Sequence, residues 1–87
     1  MMTSFNNMQI ERIRVAVKNW PLDKVVKRAS EELLELSLAL LHYERNKAST
    51  NDILEEMADV RIVLKHLEIQ FGDYQEQLNL KIDKCDN

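Results

Sequence analysis

Glycine and proline occur once each in these 87 residues, as Gly72 and Pro21, and aromatic side chains make up only 6%. Sheets need turn residues between strands and favour aromatic and β-branched residues within them, so this scarcity excludes a strand-rich domain. Cysteine is nearly absent as well. Cys85 stands alone, which rules out an intrachain disulfide and fits a reducing cytoplasmic setting. There is no Cys/His cluster for structural zinc, no His-Glu-x-x-His, and no Glu-x-x-His of the kind used by di-iron bundles. The start, MMTSFNNMQIERIR, lacks a basic segment followed by an apolar stretch, and no apolar run approaches the length of a membrane span. A soluble, unprocessed chain with no membrane partner is expected.

A strong excess of one charge is also missing. Twelve basic and fifteen acidic residues give a formal net charge of −3, and the lysines and arginines are spread along the chain. Duplex nucleic acid is thereby disfavoured as a partner, while free nucleotides are not. At this length a single domain buries too little apolar surface to be comfortable without oligomerisation or a metal.

What is abundant is leucine, glutamate, lysine and alanine, and the expected class is all-α: one domain over residues 1–87, a compact bundle of about four helices assembled into a dimer or tetramer. A first helix is predicted over about residues 5 to 18, from the imperfect spacing of Met8, Ile10, Ile13, Val15 and Val17. Trp20 and Pro21 interrupt it, because proline disfavours helical geometry in the residue before it and suits the first turn of a new helix. The second helix runs from Leu22 or Asp23 to Arg45. NKASTND (46 to 52) is the best loop. Asp52 with Glu55 then suggests a capping-box start to a third helix, with Ser49, Thr50 or Asn51 as rival caps. That helix continues to Phe71, Gly72 supplies a left-handed closing residue, and a fourth spans Tyr74 to Lys84 with Leu78, Leu80 and Ile82.

Like charges stand where a core is expected. EELLEL at 31 to 36 and EEMADV at 55 to 60 each set a glutamate doublet, with an acid three residues on, into apolar surroundings. Residues three or four apart share a helix face, so Glu32 lies beside Glu35, and Glu56 beside Asp59, with Glu31 and Glu55 flanking. The short loop makes the second and third helices antiparallel neighbours, which lets the two motifs meet at a similar height. Arg61, Lys65 and Glu68 form a polar strip that reads as the third helix's solvent face.

Magnitude decides what such a meeting requires. Two carboxylates ~5 Å apart repel by roughly 3 kcal/mol at an effective dielectric near 20, against less than about 1 kcal/mol in bulk water. Gathered between apolar walls they need protons, basic partners or cations, and neither four-residue motif contains a Lys or Arg. A hard divalent ion such as Mg²⁺, with Mn²⁺ as an alternative, suits carboxylate oxygens and commonly completes its shell with phosphate oxygens.

Glu31-Glu32-x-x-Glu35, twenty intervening residues, then Glu56-x-x-Asp59 resembles the acidic signature of the MazG-like all-α nucleoside triphosphate pyrophosphohydrolases. EELLELSLALLHYERNK followed by ILEEMADVRIVLKHLEIQFG is similar to the compact bacterial and phage members, over roughly Leu22 to Lys84. The resemblance implies Mg²⁺ on Glu32, Glu35, Glu56 and Asp59, with Glu31 orienting a lysine or water or acting as a base. It implies hydrolysis of a (deoxy)nucleoside triphosphate to monophosphate and pyrophosphate, serving to clear or adjust nucleotide pools.

The resemblance also implies that Trp20 contacts the nucleobase and that Lys81 and Lys84 reach the triphosphate. His42 and Tyr43 are further candidates for the base pocket. Plainer readings stand beside these: Trp20 as a core residue beside Pro21, His42 as a structural or exposed histidine, and the lysines as partners of a helix C-terminus. His66, on the Glu56 and Asp59 side of its helix, reads as a surface residue. Two other functions fit the same acids: a non-catalytic nucleotide-binding regulator, or a helical interaction module whose acids serve only solubility.

Overall fold

The computed structural model describes residues 4–85, and among these every regular element is a helix: α1 (Asn7–Val17), α2 (Leu22–Glu44), α3 (Thr50–Phe71) and α4 (Gln75–Cys85). None is long and apolar enough to cross a membrane.

Local chemistry sets most boundaries. Asn6 opens α1 with a capping box: its side chain accepts from the Gln9 N–H at 2.8 Å, and the Gln9 side chain accepts from the Asn6 N–H at 3.0 Å. Pro21 precedes α2 in an extended conformation, and no side chain caps that end. At the other end Asn46 takes a left-handed φ of 59°, so that its N–H reaches the Tyr43 carbonyl and the Lys47 N–H reaches that of His42 at 2.7 Å. This is a Schellman closure with asparagine in the place glycine usually takes.

Two sequence expectations change here. The box opening α3 is Ser49 with Asp52, not Asp52 with Glu55: Ser49 Oγ accepts from the Asp52 N–H, and the Asp52 carboxylate accepts from the Ser49 N–H at 2.8 Å. Glu55 is held by the Asn51 side-chain amide instead. Gly72 does have positive φ (110°), but ψ is 173°, so it turns the chain out of α3 into extended backbone and not into a left-handed helical cap. Residues other than glycine rarely adopt that conformation.

The helices pack as a bundle in which α2 lies along α3 and α1 rests on α3. The apolar core is small: Val17, Val25, Ala29, Val60 and Val63. Val25 and Ala29 repeat at four residues on α2, and Val60 and Val63 at three on α3, which turns each pair toward the neighbouring helix. α4 buries no residue. The strip Arg61, Lys65 and Glu68 is partly buried, contrary to its reading as the solvent face. The chain before α1 comes over it: Phe5 sets its ring 5.3 Å from the Arg61 guanidinium, and Lys65 pairs with Glu68 at 3.2 Å. The single-helix pattern had no means of placing α1 on that side.

Candidate metal centre

Glu32 and Glu56 occupy core positions of their helices. Glu32 follows Val25 and Ala29 at spacings of four and three, and Glu56 precedes Val60 and Val63 at the same spacings, so the face that buries the valines also carries a carboxylate inward. Glu32 is only 3% exposed, Glu56 is half-buried, and Glu35 reaches in from the exposed edge of α2. One carboxylate oxygen from each of Glu32, Glu35 and Glu56 lies within 4.8 Å of the other two. The two acidic segments therefore meet.

Their electrostatics follow from that burial. Glu32 Oε1 receives a charge-assisted contact from Arg28 Nη2 at 2.9 Å, while Glu32 Oε2 and Glu56 Oε2 are buried with no hydrogen-bond partner. Burial pushes the Glu32 carboxyl above the ordinary glutamate range; Arg28 opposes this, and the charges of Glu35 and Asp59 add to it. Glu56 is raised as well, first by loss of solvent and then by Glu35, Asp59, Glu55 and Asp52. Asp59 stays exposed and outside the three-oxygen cluster, yet both inner glutamates feel its charge. Glu31 and Glu55 are exposed on the flanks.

The donor set fits a hard divalent cation. All the ligand atoms are carboxylate oxygens, and Glu32 and Glu56 each also have a buried oxygen without a hydrogen-bond partner. Oxygens bound to one Mg²⁺ lie no more than about 4.2 Å apart, so the 4.8 Å limit asks for only a small side-chain adjustment.

Beside the acids runs a chain of contacts that the motif spacing did not disclose. Trp20, half-buried between α1 and α2, meets the His66 ring edge-on at 5.5 Å with the planes at 76°, and Lys24 places its ammonium 4.1 Å from the Trp20 ring centre. His66 is buried, not superficial as its sequence suggested, and its Nδ1 has no partner. Burial, and then the nearby Arg28 charge, hold His66 below the ordinary histidine range. Arg28 thus pairs with Glu32 while its charge is also felt at His66. Its signal in the sequence is the four-residue spacing to Glu32, just outside the motif.

The other candidates are not brought in. His42 is exposed in the last turn of α2, where its carbonyl serves the helix closure, and Tyr43 is half exposed. Lys81 and Lys84 are exposed on α4, and neither pairs with an acid of the cluster. No family model matches the chain, and no curated protein or solved structure is significantly similar to it.

Proposed function

We propose that this chain is a Mg²⁺-dependent nucleoside triphosphate pyrophosphohydrolase of the MazG-like kind, converting a (deoxy)nucleoside triphosphate to the monophosphate and pyrophosphate. The observation that carries the reading is the convergence of Glu32, Glu35 and Glu56 from two helices, with two buried carboxylate oxygens left without a partner. Glu32, Glu35 and Glu56 would hold the ion, with Asp59 at the outer edge and Mn²⁺ as a substitute. The ion would supply neutralisation of phosphate charge, including the charge developing on the pyrophosphate leaving group. In this reading Glu31, exposed and one helical turn before Glu35, would hold the attacking water or a lysine, and the half-buried Trp20 would give a base an apolar wall. Association into a dimer or tetramer belongs to the same proposal.

Pyrophosphate release across a panel of triphosphates with Mg²⁺ tests it. Turnover by the wild type is expected, with Glu35→Gln and Asp59→Asn each slower by about 100-fold or more, because several kcal/mol of charge stabilisation leaves with the ion. Full rates in both variants would remove these residues from the site. Binding without turnover would favour the regulator instead.

The exposed apolar side chains of α2 and α4 favour a second reading, a helical interaction module. It expects Mg²⁺ to leave the melting temperature unchanged, whereas an ion bound only by the native fold raises stability by about 2.7 kcal/mol at a hundred times its Kd.

A further inference from the structure

Among the described residues Arg28 is the one cation paired with the acid cluster, and the pairing occupies only part of it. Its Nη2 lies 2.9 Å from Glu32 Oε1, whereas a guanidinium carries five N–H donors in a planar fork. The two side chains also differ in surroundings: that of Arg28 is 52% exposed and that of Glu32 only 4%. The anchor is buried, and the arginine stands open to solvent at the edge of the site.

Charge balance limits what else the cluster can hold. Glu32, Glu35 and Glu56 bring three negative charges and Arg28 one positive, so a single divalent ion completes neutrality. A second would leave two positive charges in excess beside a buried glutamate, and Asp59 at the exposed edge would offset only one of them. Two-metal hydrolases use a second ion about 3.5–4 Å from the first to hold another phosphate oxygen. A guanidinium serves that purpose with directed, charge-assisted N–H groups.

Position along α2 agrees with this. Lys24, Arg28 and Glu32 follow one another at four residues, with about 6 Å of rise per step. Lys24 marks the Trp20 end of the row, its ammonium 4.1 Å from the indole centre, and Glu32 marks the acid end. A nucleotide with its base against Trp20 and its phosphates toward the acids passes the turn that carries Arg28. We infer that Arg28 is the phosphate-binding group of this site: anchored to Glu32, it offers its remaining N–H groups to a phosphate oxygen, in the role a second metal ion has elsewhere, and the cluster holds one divalent ion per chain. For its substrate the inference rests on the pyrophosphohydrolase reading.

Mn²⁺ and inorganic tripolyphosphate are probes that need no turnover. Equilibrium dialysis of the full chain against Mn²⁺ should give one ion per chain. At saturating Mn²⁺, Arg28→Gln should bind tripolyphosphate about 10- to 100-fold more weakly than the wild type in calorimetry, the range expected for a lost hydrogen bond to a charged group. Mn²⁺ alone should bind that variant at least as tightly, since a positive charge has left an acidic cluster. Arg28→Lys keeps the charge beside Glu32 but loses the fork, and about 3- to 10-fold weaker tripolyphosphate binding is expected; it carries the test if Arg28→Gln loses its helical circular dichroism. An arginine that only held Glu32 in place would give another pattern, with Mn²⁺ and tripolyphosphate weakened alike. That parallel loss overturns the inference, as do unchanged tripolyphosphate binding in both variants and two Mn²⁺ per wild-type chain. A wild type that binds no Mn²⁺ sinks the metal centre and the inference together. Pyrophosphate release is a separate arm: Arg28-dependent tripolyphosphate binding without turnover of any triphosphate keeps the role of Arg28 and removes the enzymatic reading alone.

Discussion

The two faces of the α2–α3 hairpin invert the usual arrangement. The inner face buries small residues and a charge, Val25, Ala29 and Glu32 on α2 with Val60 and Val63 on α3, while the outer face of α2 leaves Leu34, Leu38 and Leu41 to solvent. Burying a leucine side chain fully is worth about 1.5–3 kcal/mol, so each half-exposed outer leucine leaves part of that stabilisation unused. The difference teaches that the buried face of α2 makes room for a carboxylate while its larger apolar side chains stay at the surface.

The sharpest way to break this comparison is to place a charge where the inner face has none. Val25→Asp puts an unpaired carboxylate at a position with no exposure, and a loss of about 4 kcal/mol is expected, enough to unfold a domain of this size. Circular dichroism at 25 °C reads it directly. Leu34→Asp on the outer face should keep the helical signal, and equal loss of helix in both variants would erase the distinction between the faces.

Glu32→Leu sharpens it from the other side. Replacing a buried, incompletely satisfied carboxylate with an apolar group of similar length should stabilise the metal-free protein by about 1–2 kcal/mol in urea titrations while abolishing any stabilisation by Mg²⁺. A variant less stable than the wild type without metal would mean that the carboxylate is satisfied as it stands.

The raised carboxyls set a smaller, pH-dependent effect. A group whose folded pKa lies above its unfolded value, 4.5 for Glu32, contributes stability that is complete below 4.5 and lost as pH rises through the folded value. The advantage of Glu32→Gln over the wild type, measured without metal, should accordingly be largest near neutral pH and vanish toward pH 4.5. His66 acts in the opposite sense: with its folded pKa depressed, it contributes stability above 6.5 that is lost as pH falls through the folded value. Subtracting the variant from the wild type at each pH removes that background.

The smallest effect lies at the end of the hairpin. Ser49→Ala deletes the acceptor for the Asp52 N–H and should cost about 1 kcal/mol, read as a lower urea midpoint with an unchanged slope. Asp52 itself is held below its ordinary range by the Ser49 N–H, so its share is present above 3.8 and fades as pH falls through the depressed value.

All four helices were legible from periodicity and punctuation, because Pro21, Gly72 and the polar run after Glu44 act on the chain locally. The caps were less so. Ser49 and Asp52 both have the right chemistry to open α3, and only the geometry of the turn chose between them. In the site, the convergence of Glu32, Glu35 and Glu56 was readable from three- and four-residue spacing together with a short connection. Arg28 was overlooked because it lies one turn before the motif. His66 was misread because its burial depends on Trp20, which arrives from beyond α1.

By itself the sequence determined that the chain is helical, where the helices begin and end to within a residue or two except at the start of α3, which lies inside the expected 46–52 loop, and that acids share the faces that carry small apolar residues. Those are properties of one backbone and its 3.6-residue turn. Tertiary structure alone decided which of the apolar faces is covered, that Arg61 and Lys65 lie under the segment before α1, and that Glu32 and Glu56 each keep a buried oxygen without a partner. Burial depends on what arrives from a distant part of the chain, and the desolvation that raises a carboxyl's pKa begins only when that neighbour is in place.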